Sequence, residues 1–265
     1  MLKRIIVCVK PVPDPKEWKN ISLDENTLTL KREAVSHILN PLDRNAIEEA
    51  LKLKGQTGAE VVLISMAPER YKELLREGLA MGADRGYLLS DPEFAGSDTL
   101  ATAQVISSAC KKIGDFDLIL CGNQTIDGST SQVPSQLGEF LKIPSIMHVQ
   151  KIDLRDGLFY IWQRLGHRII TWESPSPLLV SVRGEINRPR YVTFKGILEA
   201  ENKEIIVWDN NDLPTDPSLI GLNGSPTKMK GLKIKRYKRE KRRLEGDKKD
   251  IVKEVVEKIY ELQLI

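Results

Sequence analysis

The sequence predicts an α/β fold: a Rossmann-like parallel sheet flanked by helices, with an antiparallel meander and an extended C-terminal arm. Three observations carry this. Through the first two-thirds of the 265 residues, short runs rich in β-branched residues alternate with amphipathic helical stretches. Such alternation packs as a parallel sheet with helices on both faces. Next come three strand-like runs between Met147 and Trp172, separated by Asp156-Gly157 and Gly166, which is the pattern of a meander. After Gly184 the chain turns polar and proline-punctuated, and periodicity returns only at Asp250–Leu262.

Arg4–Val9 reads as a buried strand stopped by Pro11, Pro13 and Pro15. Ile21–Leu30 alternates polar and apolar residues, as in a small hairpin. A helix follows from Asp43, with Asn40-Pro41 at its mouth. Glu60–Met66 is a second strand, Glu69–Met81 a helix ending at Gly82, and Gly86–Leu89 a third strand. Asp98–Ile113 is helical, Asp117–Cys121 a fourth strand, and Ser131–Leu141 a helix despite Pro134. Met147–Leu154, Phe159–Leu165 and Arg168–Trp172 form the meander, and Leu178–Val182 returns to the core. The expected division is a nucleotide-binding α/β domain over residues 1–184 and an arm over 185–265. So long a segment with little core of its own must lie on its own domain or on a partner subunit.

Composition sets further limits. No apolar run approaches the roughly 20 residues of a membrane span, and the N-terminal one is too short for a signal-peptide core. Cys8, Cys110 and Cys121 lack metal-like spacing and read as buried free thiols, which fits a reducing cytoplasm. His37, His148 and His167 lie far apart and point to no metal site. No Ser-His-Asp or Cys-His set supports nucleophilic catalysis. Between Lys228 and Lys249 twelve Lys or Arg face three acidic residues, so the rest of the chain is net negative. With one aromatic and no recognition-helix pattern, this run reads as a solvated or partner-facing segment and not as a nucleic-acid site.

The run with the most chemistry is Gly122-Asn123-Gln124-Thr125-Ile126-Asp127-Gly128-Ser129-Thr130-Ser131-Gln132-Val133, between a buried strand and a helix. Loops at strand carboxyl ends bind ligands in doubly wound sheets. Glycines permit close backbone approach, and hydroxyls and amides at a helix N-terminus suit a phosphate. The run is neither a P-loop nor a GxGxxG fingerprint, so its chemistry leaves the ligand open, and a plain capped βα loop is the other reading. Val9-Lys10-Pro11, Asn40-Pro41-Leu42-Asp43, Met66-Ala67-Pro68 and Ser97-Asp98-Thr99 lie at the same expected sheet edge. Asp43 and Asp98 are also good helix caps.

Five motifs in order carry a resemblance over nearly the whole chain. They are Val9–Asp14; Leu39–Asp43 with Ala46–Leu51; Gly78–Arg85; Gly122–Val133; and Asn187-Arg188-Pro189-Arg190-Tyr191. Together they resemble the beta subunit of electron transfer flavoproteins. The resemblance implies an adenine nucleotide held by Cys8, Asn40, Pro41, Leu42, Asp43, Met66 and Gly122 to Val133. It also implies an alpha subunit as partner, carrying a shuttling FAD. One branch of the family holds AMP in the beta site and passes electrons from a dehydrogenase to a quinone reductase. The other holds a second FAD that takes electrons from NADH and bifurcates them between ferredoxin or flavodoxin and a higher-potential acceptor. Phe94–Thr102, including Ser97, Asp98, Thr99 and Thr102, looks like the loop approaching that extra flavin. Gly128 and Gly221–Thr227 are similar to the bifurcating branch as well, so FAD is expected over AMP. Phe194–Glu201 departs from the AMP-type pattern by carrying acidic residues where those proteins have lysines, which bears on docking partners. A third class, a nucleotide-binding stress or signalling protein, shares the sheet but has no reason to carry Asn187–Tyr191 and the long arm.

Overall fold

A computed structural model describes residues 2–20, 35–213, 215–228 and 241–263. The expected hairpin at Ile21–Leu30 and most of the basic run, residues 229–240, lie outside the described residues. Contacts divide the chain into two units, residues 1–230 and 231–265.

In the first unit the strands are β1 (Arg4–Cys8), β2 (Pro11–Pro13), β3 (His37–Leu39), β4 (Glu60–Met66), β5 (Arg85–Leu89) and β6 (Leu118–Gly122). They continue as β7 (Ser145–Arg155), β8 (Leu158–Leu165), β9 (Arg168–Ser174), β10 (Leu178–Val182) and β11 (Ile205–Trp208). The helices are α1 (Pro41–Thr57), α2 (Lys72–Met81), α3 (Thr99–Ile113), α4 (Val133–Leu141) and α5 (Phe194–Glu201). Nine strands form one sheet in the order β11-β5-β4-β1-β6-β10-β7-β8-β9. All neighbouring pairs from β11 to β7 are parallel, whereas β8 pairs antiparallel with both β7 and β9. The meander is thus an extension of the main sheet.

The central parallel strands β5, β4, β1, β6 and β10 are buried on both faces, which is why they read as unbroken apolar runs, whereas β9 is largely exposed. Along β1, Ile5 and Val7 enter one layer with Ile47, Leu51 and Leu79, while Ile6 enters the other with Val105, Ile106 and Leu137. The same alternation separates Leu63 from Ile64 and Leu120 from Cys121, so α1 and α2 cover one face and α3 and α4 the other.

Several elements differ from the sequence reading. Pro11–Pro13 does not simply end β1; it pairs antiparallel with β3, as proline can in a short two-stranded ribbon. Helix α1 starts at Pro41, whose ring presets the dihedral of a first helical residue, and not at Asp43. Ser131 has φ +57°, so α4 begins at Val133 and Pro134 falls in its first turn, where a missing N–H costs nothing. Periodic structure also returns well before Asp250. α5 packs on α2, and β11 adds a parallel strand beside β5. The Asn187–Arg190 stretch is fastened to α1: Asn45 and Asn187 exchange hydrogen bonds, and Arg190 forks onto Glu48 at 2.8 and 3.1 Å. Burial pushes the Glu48 carboxyl up, but the Arg190 bonds and charge hold it below its usual range.

The second unit contains helix α6 (Lys248–Glu261), with Ile251, Val255 and Ile259 spaced along one side. Arg242 pairs with Glu254 at 2.8 Å within it.

Candidate functional site

Chain order and strand order part at β1, as they do again where β10 inserts between β6 and β7 and where β11 returns beside β5. From β1 the chain moves outward to β4 and β5, then α3 carries it back across to β6 on the other side of β1. The carboxyl ends of β1 and β6 are therefore the topological switch point, the place where open α/β sheets bind ligands. Cys8 and Cys121 are register partners there, and the loop from Gly122 leaves from the same end.

Asn40 and Asp43 organise this edge. An asparagine before a helix usually caps it, yet the Asn40 side chain makes no cap bond. Its amide donates to Asp43 Oδ1 at 2.9 Å and to the Gln124 carbonyl at 3.0 Å, and its oxygen accepts the Ile126 N–H at 3.2 Å. Asp43 likewise fastens a neighbouring strand end in place of capping, for its Oδ2 accepts the Lys10 N–H at 2.8 Å. Burial pushes the Asp43 carboxyl up to about 7, against the hydrogen bonds from Asn40, Lys10 and Gly122. Pro41 and Leu42 form the turn between these two side chains.

The loop after Gly122 is anchored at its near end and open at its far end. Asn123 donates its N–H to the Val182 carbonyl, and its side-chain nitrogen stands 3.5 Å from His148 Nδ1. Lys10 Nζ holds the Asp127 carboxylate at 2.7 Å. Burial raises that carboxyl, but the Lys10 charge and hydrogen bonds keep it below its ordinary value. Ser129 closes a turn onto the Thr125 carbonyl. Gly128, Ser129 and Thr130 are exposed. Ser131 lies in the left-handed region and Gln132 (φ −98°, ψ −33°) in the right-handed one, a pairing that gathers successive amides into an anion-binding concavity. No side chain caps the first turn of α4 that follows.

The remaining predicted residues approach from α3. Asp98 does cap that helix, accepting from the Leu100 and Ala101 amides at 2.9 and 3.1 Å. Ser97 donates to the Phe94 carbonyl, and Thr99 Oγ1 donates to Gln132 Oε1 at 3.0 Å. That bond ties the mouth of α3 to the 122–133 loop. Thr102 is half-buried one turn into α3. Met66 ends β4, one strand from Cys8, and packs on the α3 side of the sheet together with Cys8 and Val133. The hydrogen bond with Cys8, and burial, push the Cys121 thiol well up, and burial does the same for Cys110. These thiols stay protonated and offer no nucleophile.

Lys10, His148, Ser225 and Thr227 belong to this edge and were not among the predicted site residues. Lys10 stood within a motif but showed no sign of a distant acidic partner. His148 gave no signal, because its place beside Asn123 depends on the register of β7 against β10. A separate concavity of about 390 Å³ lies at the other end of the strands, lined by Leu2, Gln56, Asp117 and Ser176, and contains none of the motif residues. Among the described residues, no cluster of His, Cys, Asp or Glu could hold a metal ion. Among them, no helix is long and apolar enough to cross a membrane.

Comparison with known proteins identifies the family. The family model described as "Electron transfer flavoprotein domain" matches residues 27–213. The electron transfer flavoprotein subunit beta of Thermoanaerobacterium thermosaccharolyticum is 40% identical over 264 residues, covering 98% of this chain and 99% of that protein. The caffeyl-CoA reductase-Etf complex subunit CarD of Acetobacterium woodii is 42% identical over 229 residues, 85% of this chain and 86% of its own. The acryloyl-CoA reductase electron transfer subunit gamma of Anaerotignum propionicum is 39% identical, covering 99% and 100% of the two chains. This chain belongs to the electron transfer flavoprotein family and is similar throughout its length to the beta subunits of that family.

Proposed function

We propose that this chain is the beta subunit of a heterodimeric electron transfer flavoprotein. In this reading it holds FAD at the crevice beyond Cys8 and Gly122 and accepts electrons from NADH. The electrons divide between ferredoxin or flavodoxin and a higher-potential acceptor, a dehydrogenase or quinone reductase. The arm, residues 185–265, is assigned to contact with the alpha subunit. The observation that carries the reading is the loop from Gly122 to Val133 at the switch point. Its near end is fastened by Asn40 and Lys10, while its far end presents the Ser131–Gln132 turn and the uncapped start of α4. That donor set fits a diphosphate. The likeness to subunits named for caffeyl-CoA and acryloyl-CoA reductase complexes supports a place in an electron-transfer complex, and FAD is preferred over AMP on the resemblance of Phe94–Thr102, Gly128 and Gly221–Thr227 to the bifurcating branch.

In this reading the backbone amides of Thr130, Ser131 and Gln132 and the hydroxyls of Thr130 and Ser131 hold phosphate oxygens, while Gly128 and Ser129, whose N–H groups are taken by Asp127 and Thr125, form the exposed turn that the phosphates approach. Asp127 is neutralised by Lys10, so its charge does not repel the phosphates. Cys8, Met66 and Val133 supply an apolar wall, and Ser97, Thr99 and Thr102 approach from α3. The flavin, when bound, supplies the hydride and single-electron chemistry. Counting flavins in the purified heterodimer tests the proposal. Two flavins per heterodimer, with bleaching by NADH, are expected. One flavin and one AMP, inert to NADH, would overturn it.

A further inference from the structure

The segment after β11 returns to the mouth of α3 and locks there. Ser225 is 2% exposed. Its hydroxyl donates to the Gly221 carbonyl at 2.6 Å and accepts the Asp98 N–H at 2.8 Å. The Gly221 N–H donates to Ser97 Oγ at 3.1 Å, and the Thr227 N–H donates to Asp98 Oδ2 at 2.9 Å. The two segments lie closer than side chains allow. A β-carbon at Gly221 would collide with the Glu93 carbonyl and one at Gly96 with the Leu222 side chain, while one at Gly224 would meet the segment's own Leu219–Ile220 backbone. Both Asp98 oxygens are thus occupied by amides, two from α3 and one from Thr227. From this point Thr99 reaches Gln132 at the mouth of α4.

We propose that residues 219–227 form a positioning clip for the nucleotide loop: Ser225 and Thr227 fix Asp98 and the start of α3, and Thr99 there holds Gln132 in place. Ser225 acts through Asp98 and does not touch the ligand. The clip's effect on ligand retention rests on the nucleotide reading above; its effect on the loop does not. Two independent features carry the argument. One is the interlocking of glycines, which makes the contact specific to this segment. The other is the path from a nearly fully buried serine to the N-cap residue of α4, two hydrogen bonds joined through the Asp98–Thr99 peptide, at a helix start whose own N-cap side chain makes no cap bond. A buried hydroxyl that both donates and accepts leaves two groups unsatisfied when removed, so the contact opens locally before the domain unfolds.

Amide hydrogen exchange on the full-length chain tests this, with Ser225→Ala and Thr99→Val as variants. Ser225→Ala should speed exchange about tenfold at residues 99–102 and at residues 130–136, the factor set by losing a buried hydrogen bond. Thr99→Val should speed exchange at 130–136 and leave 219–227 protected. Where nucleotide is present, its dissociation should quicken in both variants. Acceleration by Ser225→Ala confined to 219–228 and 97–102 would overturn the clip, as would an unchanged loop in Thr99→Val. The Thr99 substitution, at a half-buried position, decides alone if Ser225→Ala fails to fold. A chain that purifies without nucleotide defeats the functional reading, while the exchange pattern still reads the clip.

Discussion

Gly122 touches Asp43 so closely that a β-carbon at Gly122 would fall inside the carboxylate. The last residue of β6 and the first turn of α1 are therefore in backbone contact, and everything downstream of Gly122 is placed by that contact. An added methyl would also stand 2.9 Å from the Leu42 carbonyl carbon and 3.0 Å from the Asp43 nitrogen, and backbone cannot rotate away as a side chain can.

Gly122→Ala is accordingly expected to destabilise the domain by about 1–3 kcal/mol through overpacking. Gly128 provides the internal contrast, because a β-carbon there meets nothing nearer than Thr125 Oγ1 at 3.6 Å. Gly128→Ala should change stability by under about 0.5 kcal/mol. Urea unfolding of the two variants checks the pair, and equal effects would refute the close approach.

Asn40→Ala should cost about 2–3 kcal/mol, since it strips partners from the Ile126 N–H, the Gln124 carbonyl and Asp43 together. Because two of these three bonds reach the 124–126 segment, the loop should open first. Limited proteolysis mapping the earliest cut within residues 123–132 would agree. An earliest cut in α1 would not.

Asp43 gives a pH dependence of definite sign. Its folded carboxyl titrates near 7, above the ordinary 3.8, because burial penalises the charge. Between about pH 4 and 7 the folded chain binds more protons than the unfolded one, so this group's contribution to stability falls as pH rises through that window. Asp127 and Asp98 act oppositely, for both are held below the ordinary value against burial: Lys10 stabilises the first carboxylate, and amides including that of Thr227 the second. Their contribution is present above the ordinary carboxylate range and is lost as pH falls below it. Urea midpoints of wild type and Asp43→Asn across pH 4–8 separate the terms. Relative to the variant, the wild type should lose stability as pH rises, and a gain would contradict the assignment.

Placing a carboxylate at the loop's open end tests the phosphate site itself. Gly128→Glu and Ser129→Asp both fall on exposed positions, so folding should be spared. Nucleotide affinity should drop at least tenfold, from like charge beside phosphate oxygens and lost backbone approach. Equilibrium dialysis with the adenine nucleotide reads the outcome, and undiminished binding in both variants would remove this loop from the site.

Local chemistry alone sufficed for the alternating strands and helices, the meander and the loop after β6. Each rests on periodicity, β-branched runs or glycines within a few residues of one another. The helix from Thr99 was legible for the same reason, with Asp98 as its cap. Tertiary structure decided the rest. Asn40 and Asp43 look like ordinary helix-start residues in sequence, yet they fasten β1 and the β6 loop across sequence separations of 33 to 86. Lys10 meets Asp127, and Ser225 meets Asp98, across 117 and 127. β11 joins the sheet although its segment is short and follows a polar stretch, because the open edge of β5 offers unpaired backbone groups that an isolated strand could not find. A hydrogen bond between distant residues leaves no period in the sequence; it exists only once the sheet has brought the strand ends together.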